Sequence, residues 1–145
     1  MSDEESSKLK WVTDIPFNIV PFEIVSEFNG HRFTPTEFYE SDIWTFPNHW
    51  NAALFFENKM ILFVYGMFDP LEKDLYVKRV AADKEFQMGT RPNLIQIMLD
   101  KVDEIASKKG AVISWTMASK RGLFRKGMGR GEINKKKFIW EHENA

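Results

Sequence analysis

The chain has 145 residues, 43% of them hydrophobic, with 13 Phe, 5 Trp and a net charge of -1. That length suits one domain with a sizeable core, and it excludes a chain that is disordered throughout or that needs covalent staples to fold. There is no Cys, which excludes disulfides, thiolate zinc sites and a cysteine nucleophile, and fits a reducing compartment.

Residues 1–10 read as a flexible acidic tail carrying Asp3, Glu4 and Glu5, and residues 11–145 as a single domain. The start is the opposite of a secretory signal, and the longest apolar run, Met60–Phe68, is far short of the about 20 residues a helix needs to cross a bilayer. A soluble cytoplasmic protein with no membrane partner is expected. From Phe17 to Phe28 apolar and polar residues alternate loosely between Pro16 and Pro21 as breakers, which predicts an edge strand or two short extended pieces. Asn29-Gly30 reads as a turn. Thr34, ahead of Pro35 and Glu37, predicts a short helix to about Ile43. Trp44–Trp50 is aromatic and irregular, interrupted by Pro47.

The middle of the chain is clearer. Ala52–Phe56 predicts a short strand, Glu57-Asn58-Lys59 a hairpin turn, and Met60–Phe68 a strand whose continuous apolarity implies burial on both faces. Asp69-Pro70-Leu71-Glu72 is the next turn and Leu75–Ala81 the third strand of an antiparallel meander. The period then changes. Leu94, Ile97, Met98, Lys101, Val102 and Ile105 form a helical stripe with one amphipathic lysine. Pro92 suits its first turn, and Gly110 follows Lys108-Lys109 as its end. Ala111–Met117 predicts a strand, Ser119 to about Lys126 a short basic helix, and Lys136–Glu141 the last strand. Strand, loop, helix, strand over residues 73–117 implies a right-handed crossover between neighbouring parallel strands. The fold class is thus α/β (α+β): a mixed central sheet with an antiparallel meander and one long crossover helix.

This order over about residues 51–141 resembles the GNAT superfamily of N-acyltransferases. In that family a Gln/Arg-x-x-Gly-x-Gly/Ala loop opens the long helix, and its backbone amides hold the acetyl-CoA pyrophosphate, because a helix N-terminus offers unpaired donors. Gln87-Met88-Gly89-Thr90-Arg91-Pro92-Asn93 stands at the matching place. The resemblance implies acetyl-CoA as the ligand, with Gln87, Met88, Gly89, Thr90 and Arg91 around its phosphates and Arg121, beside Lys120 and Arg125, near its adenosine phosphate.

A second match is Gly122-Leu123-Phe124-Arg125-Lys126-Gly127-Met128-Gly129, against the family's Ala-x-x-Leu-Tyr-x-Lys-x-Gly-Phe. Here Phe124 replaces the tyrosine that often protonates the departing thiolate, and phenylalanine has no proton to give. Pro92 interrupts the glycine spacing and removes one backbone donor. The bare start of a helix explains Thr90 and Pro92 as well as a phosphate site does. Residues 34–50 are shorter than the family's usual two-helix acceptor region, so no acceptor is implied.

Glu57, Asp69, Tyr65 and Tyr76 are the candidates for handling the acceptor's proton, although Glu57 and Asp69 also suit hairpin ends. His31, His49 and His142 are scattered without metal-ligand spacing, so no metal is expected. Three functions follow from these residues. The first is an acetyl-CoA-dependent N-acyltransferase. The second is a non-catalytic GNAT-like protein of the kind found in bacteriophage virions, using Trp44–Trp50 to contact a protein partner. The third, less favoured, is a nucleic-acid binder built on residues 120–137, where eight basic residues and one acid interleave with Phe124.

Overall fold

The computed structural model describes residues 8–26, 38–39, 47–83, 85, 92–117, 132–134 and 137–141. Seven strands hydrogen-bond in the order β1-β2-β3-β4-β5-β7-β6. They are β1 (Leu9–Thr13), β2 (His49–Phe56), β3 (Lys59–Asp69), β4 (Asp74–Ala82), β5 (Ile113–Met117), β6 (Glu132–Asn134) and β7 (Lys137–Glu141). Among the described residues they are accompanied by helices α1 (Phe22–Val25) and α2 (Pro92–Lys109) and a 3-10 turn at Phe17–Ile19. The chain divides into two compact units, Met1–Gly66 with Arg79–Gln87, and Met67–Lys78 with Met88–Ala145, so β3 and β4 run through both.

In the first unit β1 pairs antiparallel with β2, from Leu9↔Phe56 to Thr13↔Ala52. The expected tail boundary at residue 10 therefore falls inside a strand. The short Glu57-Asn58 link makes β2 and β3 a hairpin, with Glu57 in the left-handed region at φ 56. Every residue from Met60 to Gly66 is buried, while Met67 and Phe68, expected to be buried with them, are half-buried.

Of the extended structure expected over Phe17–Phe28, the described part, residues 17–26, is helical turns instead. Pro16 (φ -65) and Pro21 (φ -63) each sit at the residue before a helical turn, where a fixed φ is already suited to a helix start. The reason for the departure is burial. Phe17, Ile24 and Val25 are wholly covered in a core with Phe38, Phe63 and Tyr65, and only helical turns bring residues 17, 24 and 25 to the same side. Phe17 stacks on Phe38 at 4.6 Å and meets Phe63 and Tyr65 edge-on at 5.9 and 5.4 Å.

Strand β2 begins earlier than the expected Ala52. His49 and Trp50 are strand residues, and Trp50 is only 1% exposed. Phe38 and Tyr39 are helical, within the helix expected near Thr34–Ile43.

In the second unit α2 buries Leu94, Met98, Leu99, Val102, Ile105 and Ala106 along one stripe, matching the apolar period of the sequence. Gly110 adopts φ 77. Its amide donates to the Ser107 carbonyl at 3.2 Å, and the Ala111 amide donates to the Ala106 carbonyl at 2.8 Å. This bond pair is a Schellman cap, and it needs a left-handed residue at position 110. Strand β5 pairs antiparallel with β7 along its whole length, and β7 with β6, a short strand that the sequence pattern did not suggest. Gln87 to Arg91, Lys120 to Arg125 and the expected basic helix lie outside the described residues, as do the Asn29-Gly30 turn, His31 and His142.

Candidate functional site

The geometry around the β4–α2 connection starts from the β4–β5 ladder. These strands are parallel, as expected, and pair at Asp74↔Ile113, Leu75↔Ser114 and Tyr76↔Trp115. Ahead of the ladder the Val112 amide donates to the Lys73 carbonyl at 2.8 Å. Among the described residues the two strands do not pair beyond Tyr76 and Trp115, although β5 runs on to Met117 and β4 to Ala82.

At the other end of β4, Asp83 leads into the connection. It is nearly buried, and its amide donates to the Ile61 carbonyl at 2.9 Å. Its Oδ1 accepts the Glu85 amide at 3.0 Å and lies 3.5 Å from Lys59 Nζ. Lys59 Nζ also lies 3.5 Å from Glu85 Oε2. Partial burial pulls the Lys59 pKa down, but Asp83 and Glu85 outweigh it and hold the ammonium above the ordinary lysine value. Helix α2 begins at Pro92, directly after the segment expected to meet phosphate.

All six residues expected at the ligand, Gln87, Met88, Gly89, Thr90, Arg91 and Arg121, lie outside the described residues, as does Phe124. The proton-handling candidates separate by environment. Glu57 is an exposed turn residue 3.4 Å from Lys8. Asp69 closes its own turn, its Oδ1 accepting the Leu71 and Glu72 amides at 2.9 and 3.2 Å. Tyr65 is wholly buried among Phe17, Phe38 and Phe63, and half-buried His49 packs against Phe17 and Tyr65 at 5.2 and 6.1 Å. Tyr76, half-buried, is the candidate that stands at the end of the β4–β5 ladder. The sequence reading passed over Asp83, although an acid at the end of a strand, just before a loop, was a signal of a local cap.

Among the described residues no group of three or more His, Asp or Glu is placed to hold a metal ion. Nor is any helix there long and apolar enough to cross a membrane.

No protein-family model matches the sequence, and no curated protein matches it. Solved structures do match. The aminoglycoside acetyltransferase meta-AAC0020 from an uncultured soil metagenomic sample aligns with a TM-score of 0.66 at 14% identity, covering 88% of this chain and 92% of that one. Tetrahymena GCN5 aligns with a TM-score of 0.64 at 12% identity, over 94% and 98% of the two chains. The PaiA N-acetyltransferase of Thermoplasma acidophilum, solved with coenzyme A, aligns with a TM-score of 0.60 at 10% identity, over 86% and 81%. The chain has the fold of the GNAT acetyltransferases, as its order of elements implied.

Proposed function

We propose that this protein is an acyl-coenzyme A-dependent N-acyltransferase. The observation that carries the reading is the GNAT fold together with a β4–β5 ladder that ends at Tyr76↔Trp115. Acyl-coenzyme A, when bound, supplies an activated thioester. The chain's own residues have three tasks. The region where the β4–β5 ladder ends takes the amide-bearing arm. Gln87, Met88, Gly89, Thr90 and Arg91 meet the pyrophosphate and Arg121 the adenosine phosphate, arginine being suited to bidentate phosphate contacts. Tyr76 takes the proton that the attacking amine gives up as the N–acyl bond forms and the C–S bond breaks, and that proton passes on to the departing sulfur, since Phe124 has none to give. The reading also puts the protein in the cytoplasm.

Titration calorimetry with acetyl-CoA and CoA tests this. Binding by the intact protein, weakened at least about tenfold in Arg91→Ala, is expected. No heat at millimolar ligand overturns the reading. For the non-catalytic alternative, an assembly protein of the kind carried in bacteriophage virions, burial takes Trp50 out of the surface that Trp44–Trp50 was to provide. That alternative has no observation in its favour.

A further inference from the structure

We infer that two copies of this chain associate through the outer edge of β1, antiparallel about a two-fold axis at Trp11. Strand β1 stands at one end of the sheet, and among the described residues β2 is the strand beside it. The ladder between them decides which backbone groups face outward. The Glu57 amide donates to the Lys8 carbonyl and the Asp14 amide to the Asn51 carbonyl, both in register with the pairs from Leu9↔Phe56 to Thr13↔Ala52. Hydrogen-bonded pairs alternate with pairs that are not along an antiparallel ladder, so Lys10 and Val12 also turn their backbone groups toward β2. Leu9 and Thr13 turn theirs away from it. The edge stops at Thr13, because Asp14 turns through φ 55 and the side chain of Asn51 holds the Ile15 amide and carbonyl.

Such an edge is complementary to itself. With the axis at Trp11, Leu9 of each copy meets Thr13 of the other as a hydrogen-bonded pair. Charge selects this register. It sets Lys8 of one copy, whose side chain is 43% exposed, across from the exposed Asp14 of the other, twice by symmetry. It also lays the stem of the exposed Lys10 along the partly buried Val12 of the other copy. An axis at Lys10 sets two ammonium groups directly opposite each other, which is unfavourable. Because the same patch serves both copies, the contact closes as a dimer and does not propagate. Five residues of strand edge are few beside the about 1,200–2,000 Å² of a stable interface, so the dimer is weak, with a Kd of about 10–100 µM.

The test uses the full chain. Sedimentation velocity of the parent is expected to show a dimer fraction that grows as concentration rises through about 10–200 µM. Thr13→Pro removes an outward amide and leaves the β1–β2 bonds intact, so it is expected to weaken the dimer at least about tenfold with little change in melting temperature. Should Thr13→Pro unfold, the charge pair takes its place: Lys8→Glu weakens the dimer, and Lys8→Glu with Asp14→Lys restores it. The chain has no Cys, so introduced cysteines report the register. Trp11→Cys, on the axis, is expected to form a disulfide-linked dimer on mild oxidation. Lys10→Cys, whose counterpart lies beyond the about 7 Å that a disulfide spans between Cα atoms, is expected to link much more slowly. If Trp11→Cys does not fold, Leu9→Cys with Thr13→Cys replaces it. A parent that stays monomeric at about 200 µM, a dimer unchanged in both the proline and the Lys8→Glu variants, or faster linking through residue 10 than through residue 11 overturns the inference. None of these outcomes bears on the acyltransferase reading.

Discussion

The side-chain amide of Asn51 pairs with both backbone polar groups of Ile15: its Oδ1 accepts the Ile15 amide at 2.8 Å and its Nδ2 donates to the Ile15 carbonyl at 2.9 Å. The Asn51 carbonyl accepts the Asp14 amide at 3.0 Å. One buried residue of β2 thus replaces a strand neighbour where β1 ends, while Asp14 turns through φ 55. The chain leaves the ladder there without orphaning its polar groups.

Asn51→Ala is therefore expected to cost about 2–4 kcal/mol, since it strands the Ile15 donor and acceptor together. Asn51→Asp keeps the acceptor but sets a buried carboxylate against a carbonyl. Its loss is expected to exceed that of the alanine variant at neutral pH and to shrink on acidification. Urea denaturation at two pH values measures both.

Phe17 organises the aromatic core of the first unit, stacked on Phe38 with Phe63, Tyr65 and His49 edge-on or close to it. Phe17→Ala is expected to lose about 3–5 kcal/mol. Phe17→Leu, closer in volume, is expected to lose about 1–2 kcal/mol and to weaken the near-ultraviolet circular dichroism. Equal stability of the two variants would show that the site does not depend on packing volume.

Two left-handed positions predict opposite outcomes. Lys73 is exposed at φ 54, and its carbonyl is engaged by the Val112 amide. A side chain in that region costs about 1–2 kcal/mol, against about 0.5–1 kcal/mol of extra chain entropy for glycine. Lys73→Gly should thus raise the melting temperature slightly. Gly110→Ala should lower it by the equivalent of about 1 kcal/mol, and crowding is not the reason, since a Cβ there meets nothing within 4 Å.

Helix α2 carries a pH-dependent element. Lys108 first and Lys101 second, both within about one helical turn, hold the Glu104 carboxyl below the ordinary glutamate range. A carboxyl whose folded pKa is depressed adds stability above its unfolded pKa and loses it as pH falls through the folded one. The contribution is thus present above about pH 4.3 and fades below it. Glu104 and Lys108 are surface-exposed, so Glu104→Gln is expected to cost only about 0.3–0.5 kcal/mol at pH 7. That difference should vanish at pH 2–3 and diminish in about 1 M salt. Thermal melts across pH and salt check it.

The elements legible in the sequence are those whose cause is local. Met60–Phe68 has one continuous apolar run, Leu94–Ile105 one helical period, and Gly110 one conformation that other residues avoid. Strand β1 was hidden because its partner, β2, is distant along the chain, with Leu9 paired to Phe56. At the candidate site the start of α2 at Pro92 was legible, while Gln87 to Arg91, expected to meet phosphate, lie outside the described residues. Tyr76 was only one of several proton-handling candidates until the end of the β4–β5 ladder gave it a position.

The sequence by itself determined the run of elements from β2 to α2, because periodicity, turn residues and caps act over a few residues. Only the tertiary structure decided that Phe17–Val25 coils rather than extends, that Trp50 is buried, and that Asp83 is tied to both Ile61 and Glu85. Those outcomes depend on which distant side chains and carbonyls compete for the same space and the same hydrogen bonds, and that competition exists only once the strands are paired.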